Sequence, residues 1–140
     1  MVRKRLTLDI NKIVRAIWDL QDLIVYEPST EEDFLNVVYT FLKLKFKKYE
    51  ISDDPEAIEL LGKKHKPDLS IQDQVAIELK IAKRKSTVIR AINQAEMYRR
   101  GGYPASIAVV FLADKLAEEY EPDYETLERL EKRRVYAVLI

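Results

Sequence analysis

Asp68, Glu78 and Lys80 are the residues whose types and spacing point most directly to chemistry. They lie in the stretch Lys66-Pro67-Asp68-Leu69-Ser70-Ile71-Gln72-Asp73-Gln74-Val75-Ala76-Ile77-Glu78-Leu79-Lys80, both halves of which alternate as strands do. Leu69, Ile71, Val75, Ile77 and Leu79 are apolar on one parity, while Asp68, Ser70, Ala76, Glu78 and Lys80 share the other. If Gln72, Asp73 and Gln74 make a three-residue turn, Asp68 faces Glu78 and Ser70 faces Ala76. Facing β-carbons in such a pair are about 5 Å apart, where like charges repel. Two carboxylates and an ammonium on a face of small side chains make a cradle for a hard cation. Mg²⁺ (or Mn²⁺) takes one or two protein carboxylates and completes its shell with water and phosphate. The backbone carbonyl of Leu79 is a further oxygen ligand. An ion held there stabilises charge on a phosphodiester oxygen and acidifies a bound water. Lys80 would orient or deprotonate that water, or hold the phosphate as a fixed positive charge.

This geometry depends on register, because a slip of one residue moves Asp68 to the other face. The turn lacks a Gly or Asn, so Asp73 has to take the left-handed position. The plain alternative is an exposed hairpin with scattered charges.

The remaining elements have to position this hairpin. Asp9 or Thr7 caps a first helix to about Tyr26, with Ile10, Ile13, Val14, Ile17, Leu20 and Ile24 at helical spacing and Trp18 packing beside them. Pro28 ends it. Ser29 and Glu32 have capping-box spacing for a second helix, whose buried stripe is Phe34, Leu35, Val38, Phe41 and Leu42. Glu31 precedes that stripe on the inward side and can reach the ion or its water shell, with Glu32 as the fallback. Lys43, Lys45, Lys47 and Lys48 close this helix, where its dipole favours cations. A short strand over residues 49–52 follows, then an acidic loop over 53–62 with a short helical turn over 57–61. His65, the lone histidine, reads as a surface residue in a lysine run. Beyond the hairpin come a helix over 83–100 stopped by Gly101-Gly102-Tyr103-Pro104, a doubly covered strand over 105–112, an acidic, partly helical segment over 114–133 broken at Pro122, and a last strand over 135–140. The fold class is α/β, a central mixed sheet flanked by helices.

With 140 residues, 47% of them hydrophobic and 34% charged, one domain with a real core is expected. The absence of cysteine excludes disulfides, thiol catalysis and a cysteine-ligated zinc site. No apolar run is long enough for a membrane span, and the first five residues do not resemble a signal peptide, so a cytoplasmic (intracellular) protein without membrane partners is expected. The zero net charge hides a division. Residues 63–100 hold ten basic and four acidic side chains, a net +6, whereas 114–131 hold two and eight, a net −6. A basic half around the acids favours a polyanionic partner.

Pro67-Asp68, nine intervening residues and Glu78-Leu79-Lys80 resemble the signature of the PD-(D/E)XK nuclease superfamily, which includes restriction endonucleases and archaeal Holliday-junction resolvases. The order of elements over residues 31–112 is similar to that family's core of helix, three strands, helix and strand. The resemblance implies a restriction endonuclease-like core over residues 29–112, flanked by an accessory helix (1–28) and a C-terminal helix-strand extension (113–140). It implies metal ligation by Asp68 and Glu78, a catalytic role for Lys80 and an acid from the first core helix, matched by Glu31. Gln94 and Tyr98 resemble the Gln-x-x-x-Tyr element of the RecB-like branch, which lies near the site and the DNA; four apart on a helix, they also stack on one face.

The expectation is a Mg²⁺-dependent endonuclease acting on DNA, structure-directed or of low sequence specificity, and working as a homodimer. Lys63, Lys64, Lys66, Lys83, Arg84 and Lys85, together with Gln94 and Tyr98, are its expected DNA contacts. Two other readings stand beside it: a non-catalytic nucleic-acid-binding protein that keeps the fold, and an interaction module whose acidic C-terminal part docks a basic partner.

Overall fold

The computed structural model of the chain describes residues 5–24 and 26–140. The reading of the first five residues therefore falls mostly outside the described part. In chain order the elements are α1 (Ile10–Leu23), α2 (Glu31–Lys45), β1 (Ile51–Ser52), β2 (Ile58–Leu60), β3 (Lys63–His65), β4 (Leu69–Ile71), β5 (Val75–Ala82), α3 (Lys85–Arg100), β6 (Ala105–Leu112), α4 (Leu116–Glu119), α5 (Tyr124–Lys132) and β7 (Val135–Leu139).

Five strands form a mixed sheet in the order β1-β4-β5-β6-β7. The steps from β1 to β4 and from β4 to β5 are antiparallel; those from β5 to β6 and from β6 to β7 are parallel. Parallel neighbours need a crossover, supplied by α3 for the first pair and by α4 and α5 for the second. The apolar parity of the central strands (Leu69, Ile71, Ile77, Leu79, Ile107, Val109) packs under α1 and α2, against Ile13, Ile17, Phe34, Val38 and Leu42. The opposite face carries Ala82, Ala108 and Val110 against Val88, Ala91 and Ala95 of α3. With helices on both sides, β6 is buried from Ala105 to Val110, as its unbroken apolar run requires. Among the described residues no helix is long and apolar enough to cross a membrane.

The β4–β5 register is the expected one: Leu69 faces Ile77, Ser70 faces Ala76 and Ile71 faces Val75. Its turn takes two left-handed residues rather than one, with φ at 53° for both Gln72 and Asp73, and Gln74 N–H bonds back to Ile71 O at 2.9 Å. Asp9 caps α1, taking Lys12 N–H at 3.2 Å, while Thr7 instead bonds the Gln74 side chain. For α2 the cap expected at Ser29 moves one residue. Thr30 accepts Asp33 N–H at 3.1 Å and Ser29 Oγ donates to Asp33 Oδ2 at 2.6 Å, so Asp33 fills the place assigned to Glu32.

The helical turn expected over 57–61 is instead a strand. Residues 58–60 pair with 63–65 as a separate two-stranded sheet, closed by Leu61 (φ 53°) and Gly62 (φ 76°). Two left-handed residues in a two-residue loop match the right-handed twist of the flanking strands. Leucine is a poor marker for that turn, which is why the pattern hid it. Ile58 anchors this hairpin, packing with Ala76, Tyr98 and Tyr103.

Candidate active site

The site begins where β4 stops. Asp68 still donates its amide to Ile77 O at 3.1 Å, and then its side chain takes over: Oδ2 accepts Leu79 N–H at 2.8 Å. A carboxylate thus stands where a strand carbonyl would have been. Because a strand residue sends its N–H and C=O to the same edge, the Leu79 carbonyl leaves β5 on the Asp68 side.

Glu78 sits one residue earlier, only 6% exposed. Burial first, then the neighbouring Asp68 charge, pushes its carboxyl from 4.5 up to about 8; Lys80 and a hydrogen bond from Tyr98 pull the other way. Lys80 Nζ stands 3.8 Å from Glu78 Oε2 and 3.7 Å from Glu31 Oε2, spanning β5 and the first turn of α2. Ser70 and Ala76 pair beside them and are fully buried. Ser70 Oγ has no hydrogen-bond partner among the described residues. A hydroxyl left unpaired at that depth costs about 1–3 kcal/mol.

Helix α3 closes the inner side. Tyr98 is 1% exposed, with its hydroxyl 3.1 Å from Glu78 Oε1 and 3.0 Å from Lys66 O, and it accepts from Gln94 Nε2 at 3.2 Å. Burial, reinforced by the Glu78 charge, pushes the phenol well above its usual range. A phenol has one proton, so Tyr98 donates either to Lys66 O or to an ionised Glu78. Tyr103 packs edge-on to Tyr98 at 6.5 Å and donates to Glu56 O at 2.6 Å, tying the acidic loop to the same aromatic pair.

Asp68, Glu78 and Lys80 therefore meet, with the Leu79 backbone beside them; Glu31, expected as a further metal ligand, joins through Lys80 and does not gather with the two acids. Glu32 is exposed and lies one position round the helix. Of the expected DNA contacts, Lys63 and Lys64 project from β3 and are exposed, as are Arg84 and Lys85 at the start of α3. Lys66 is paired with Asp54, and Lys83 stands 4.0 Å from Asp114. Gln94 is half-buried, and Tyr98 lies behind Glu78 rather than on the open surface. Tyr103, Asp54 and the unpaired Ser70 hydroxyl carried no sequence signal beyond a turn, an acidic loop and a small residue.

The donor set suits a hard cation. Among the described residues no three His, Cys, Asp or Glu side chains gather into a metal cage, so the two acids and the Leu79 carbonyl offer a partial shell. Partial protein ligation completed by water and phosphate is how Mg²⁺ is commonly held. A cation would also offset the burial and the Asp68 charge that push the Glu78 carboxyl up. Neither protein-family models, curated proteins nor solved structures match the chain.

Proposed function

We propose that the chain is a divalent-cation-dependent deoxyribonuclease with a restriction endonuclease-like core of the PD-(D/E)XK type, cutting DNA internally with low or structure-directed specificity. One observation carries this reading: Asp68 and Glu78, ten positions apart, meet beside Lys80 at the end of β4, where burial and then the Asp68 charge push the Glu78 carboxyl up to about 8. A carboxyl strongly perturbed by burial and a specific charge partner is a candidate functional group.

Asp68, Glu78 and the Leu79 carbonyl would hold the ion. Bound there, Mg²⁺ or Mn²⁺ supplies Lewis-acid stabilisation of phosphate charge and a more acidic water. The chain does the rest. Leu79 N–H fixes the Asp68 carboxylate, and Tyr98 fixes Glu78. Lys80, held between Glu78 and Glu31, faces the charge that builds on the phosphate as one P–O bond forms to water and another to a sugar oxygen breaks. Lys63, Lys64, Arg84 and Lys85 supply exposed positive charge for the backbone, which makes binding fall steeply with salt.

The test is cleavage of supercoiled plasmid and a four-way junction with Mg²⁺ or Mn²⁺. Wild type is expected to cut and to stop with EDTA, and Asp68→Ala and Glu78→Ala to be inactive. Cutting that survives both substitutions would move the site elsewhere. DNA binding without cutting under any divalent ion would leave a non-catalytic binding protein on the same fold.

A further inference from the structure

We infer that the outer face of the α1–α2 layer docks a second copy of this chain, with the two α2 helices antiparallel across a two-fold axis. Helices α1 and α2 run in opposite directions: Lys12, in the first turn of α1, shares a cavity of about 370 Å³ with Leu44, Lys45, Lys47 and Lys48. Beyond the other end of α1, Ile24 and Tyr26 share one of about 210 Å³ with Asp33 and Val37.

Along this seam the surface is apolar where water should be. Leu23 is 60% exposed, Tyr26 86%, Val37 43% and Leu44 66%, half of the large hydrophobic side chains exposed among the described residues. The charges beside the seam are sorted rather than mixed. Asp19, Asp22, Glu27 and Glu32 are exposed at the end where α2 begins; Lys12, Lys45, Lys47 and Lys48 are exposed where it finishes. An antiparallel pairing lays each acidic end on a lysine end, twice, and folds the apolar row over itself, which is the self-complementarity of a two-fold interface. A parallel pairing sets like charge on like. A polyanion fits less well, because it would meet the acidic end and leave the apolar row uncovered. The inference stands apart from the phosphodiesterase reading, since it is tested by mass without nucleic acid.

Sedimentation velocity of the full chain, with circular dichroism to confirm folding, tests it. Wild type is expected to be a dimer. Asp19→Lys with Asp22→Lys, and separately Lys45→Glu with Lys47→Glu, should each weaken dimerisation about tenfold or more, and the four substitutions combined should restore it. Leu44→Glu, at a site that contributes nothing to the core, should give a folded monomer. A monomeric wild type, variants that dimerise as wild type does, or a fourfold variant that stays monomeric would each overturn the proposal. So would a lysine-end variant that loses DNA binding while its mass is unchanged.

Discussion

The Tyr98 hydroxyl lies 3.1 Å from Glu78 Oε1 and 3.0 Å from the Lys66 carbonyl, joining helix α3 to the segments that bear both acids. Its single proton connects the charge of Glu78 to the chain just before Asp68. While Glu78 is protonated, Tyr98 is free to serve Lys66 O; once Glu78 ionises, the proton is drawn to the carboxylate.

Tyr98→Phe should therefore cost about 1–3 kcal/mol, since Lys66 O and the Gln94 amide lose a buried partner. It also removes a donor that favours ionised Glu78, so the Glu78 titration should move upward. Denaturant melts and carboxyl NMR measure the two effects. An unchanged titration would show that Tyr98 only fills space.

The cation-free protein should lose stability as pH rises between 4.5 and about 8. Across that window the folded state keeps a proton on Glu78 that the unfolded state releases, so each step upward favours unfolding; beyond it the effect is complete. The total is a few kcal/mol. Glu78→Gln should flatten this slope and leave the variant more stable than wild type on the alkaline side. Thermal melts at several pH values decide it, and a wild-type stability that climbs through the window contradicts the assignment.

Lys80→Met should lower the cleavage rate by about 10²–10⁴-fold while leaving DNA affinity within a few-fold of wild type. Glu31→Gln should have a smaller effect on the same step, because Glu31 acts through Lys80 at 3.7 Å. Single-turnover kinetics beside a binding isotherm separates the two quantities. Equal losses in both would mean that Lys80 only binds.

Gly101→Ala should destabilise the fold by about 1–3 kcal/mol, because the new methyl group would overlap Ile58 and stand 2.6 Å from its Cβ. Ile58 is 1% exposed and seats the β2–β3 hairpin on Tyr98 and Tyr103. Ile58→Ala should be costly alone and less so with Gly101→Ala, a coupling that a double-mutant cycle reads directly.

Strand parity made the hairpin legible: alternation over residues 69–79 sets both register and face, so the meeting of Asp68 with Glu78 follows from spacing. Helix periodicity likewise placed α1, α2 and α3 to within a few residues. What stayed hidden rests on backbone conformation or tertiary contact. Leu61 and Gln72 adopt left-handed geometry that their side chains do not advertise, so the β2–β3 hairpin and the second left-handed residue of the β4–β5 turn were missed. The cap moved from Ser29 to Thr30 because both residues suit the role and only the chain path chooses. Tyr98 read as a DNA contact; its burial behind Glu78 depends on how α3 lies across the sheet. The Asp54 partner of Lys66 comes from a loop whose course no pattern encodes.

The early end of β4 leaves residues 78–82 of β5 without a strand neighbour on that side among the described residues. Bare strand backbone at a rim invites another chain to pair with it. Here β1 and β4 stand on one flank of the notch, and the Lys80 ammonium stands beside it. The protein thus turns the Leu79 carbonyl towards a small visitor, while the amide that a passing strand would need is already taken by Asp68.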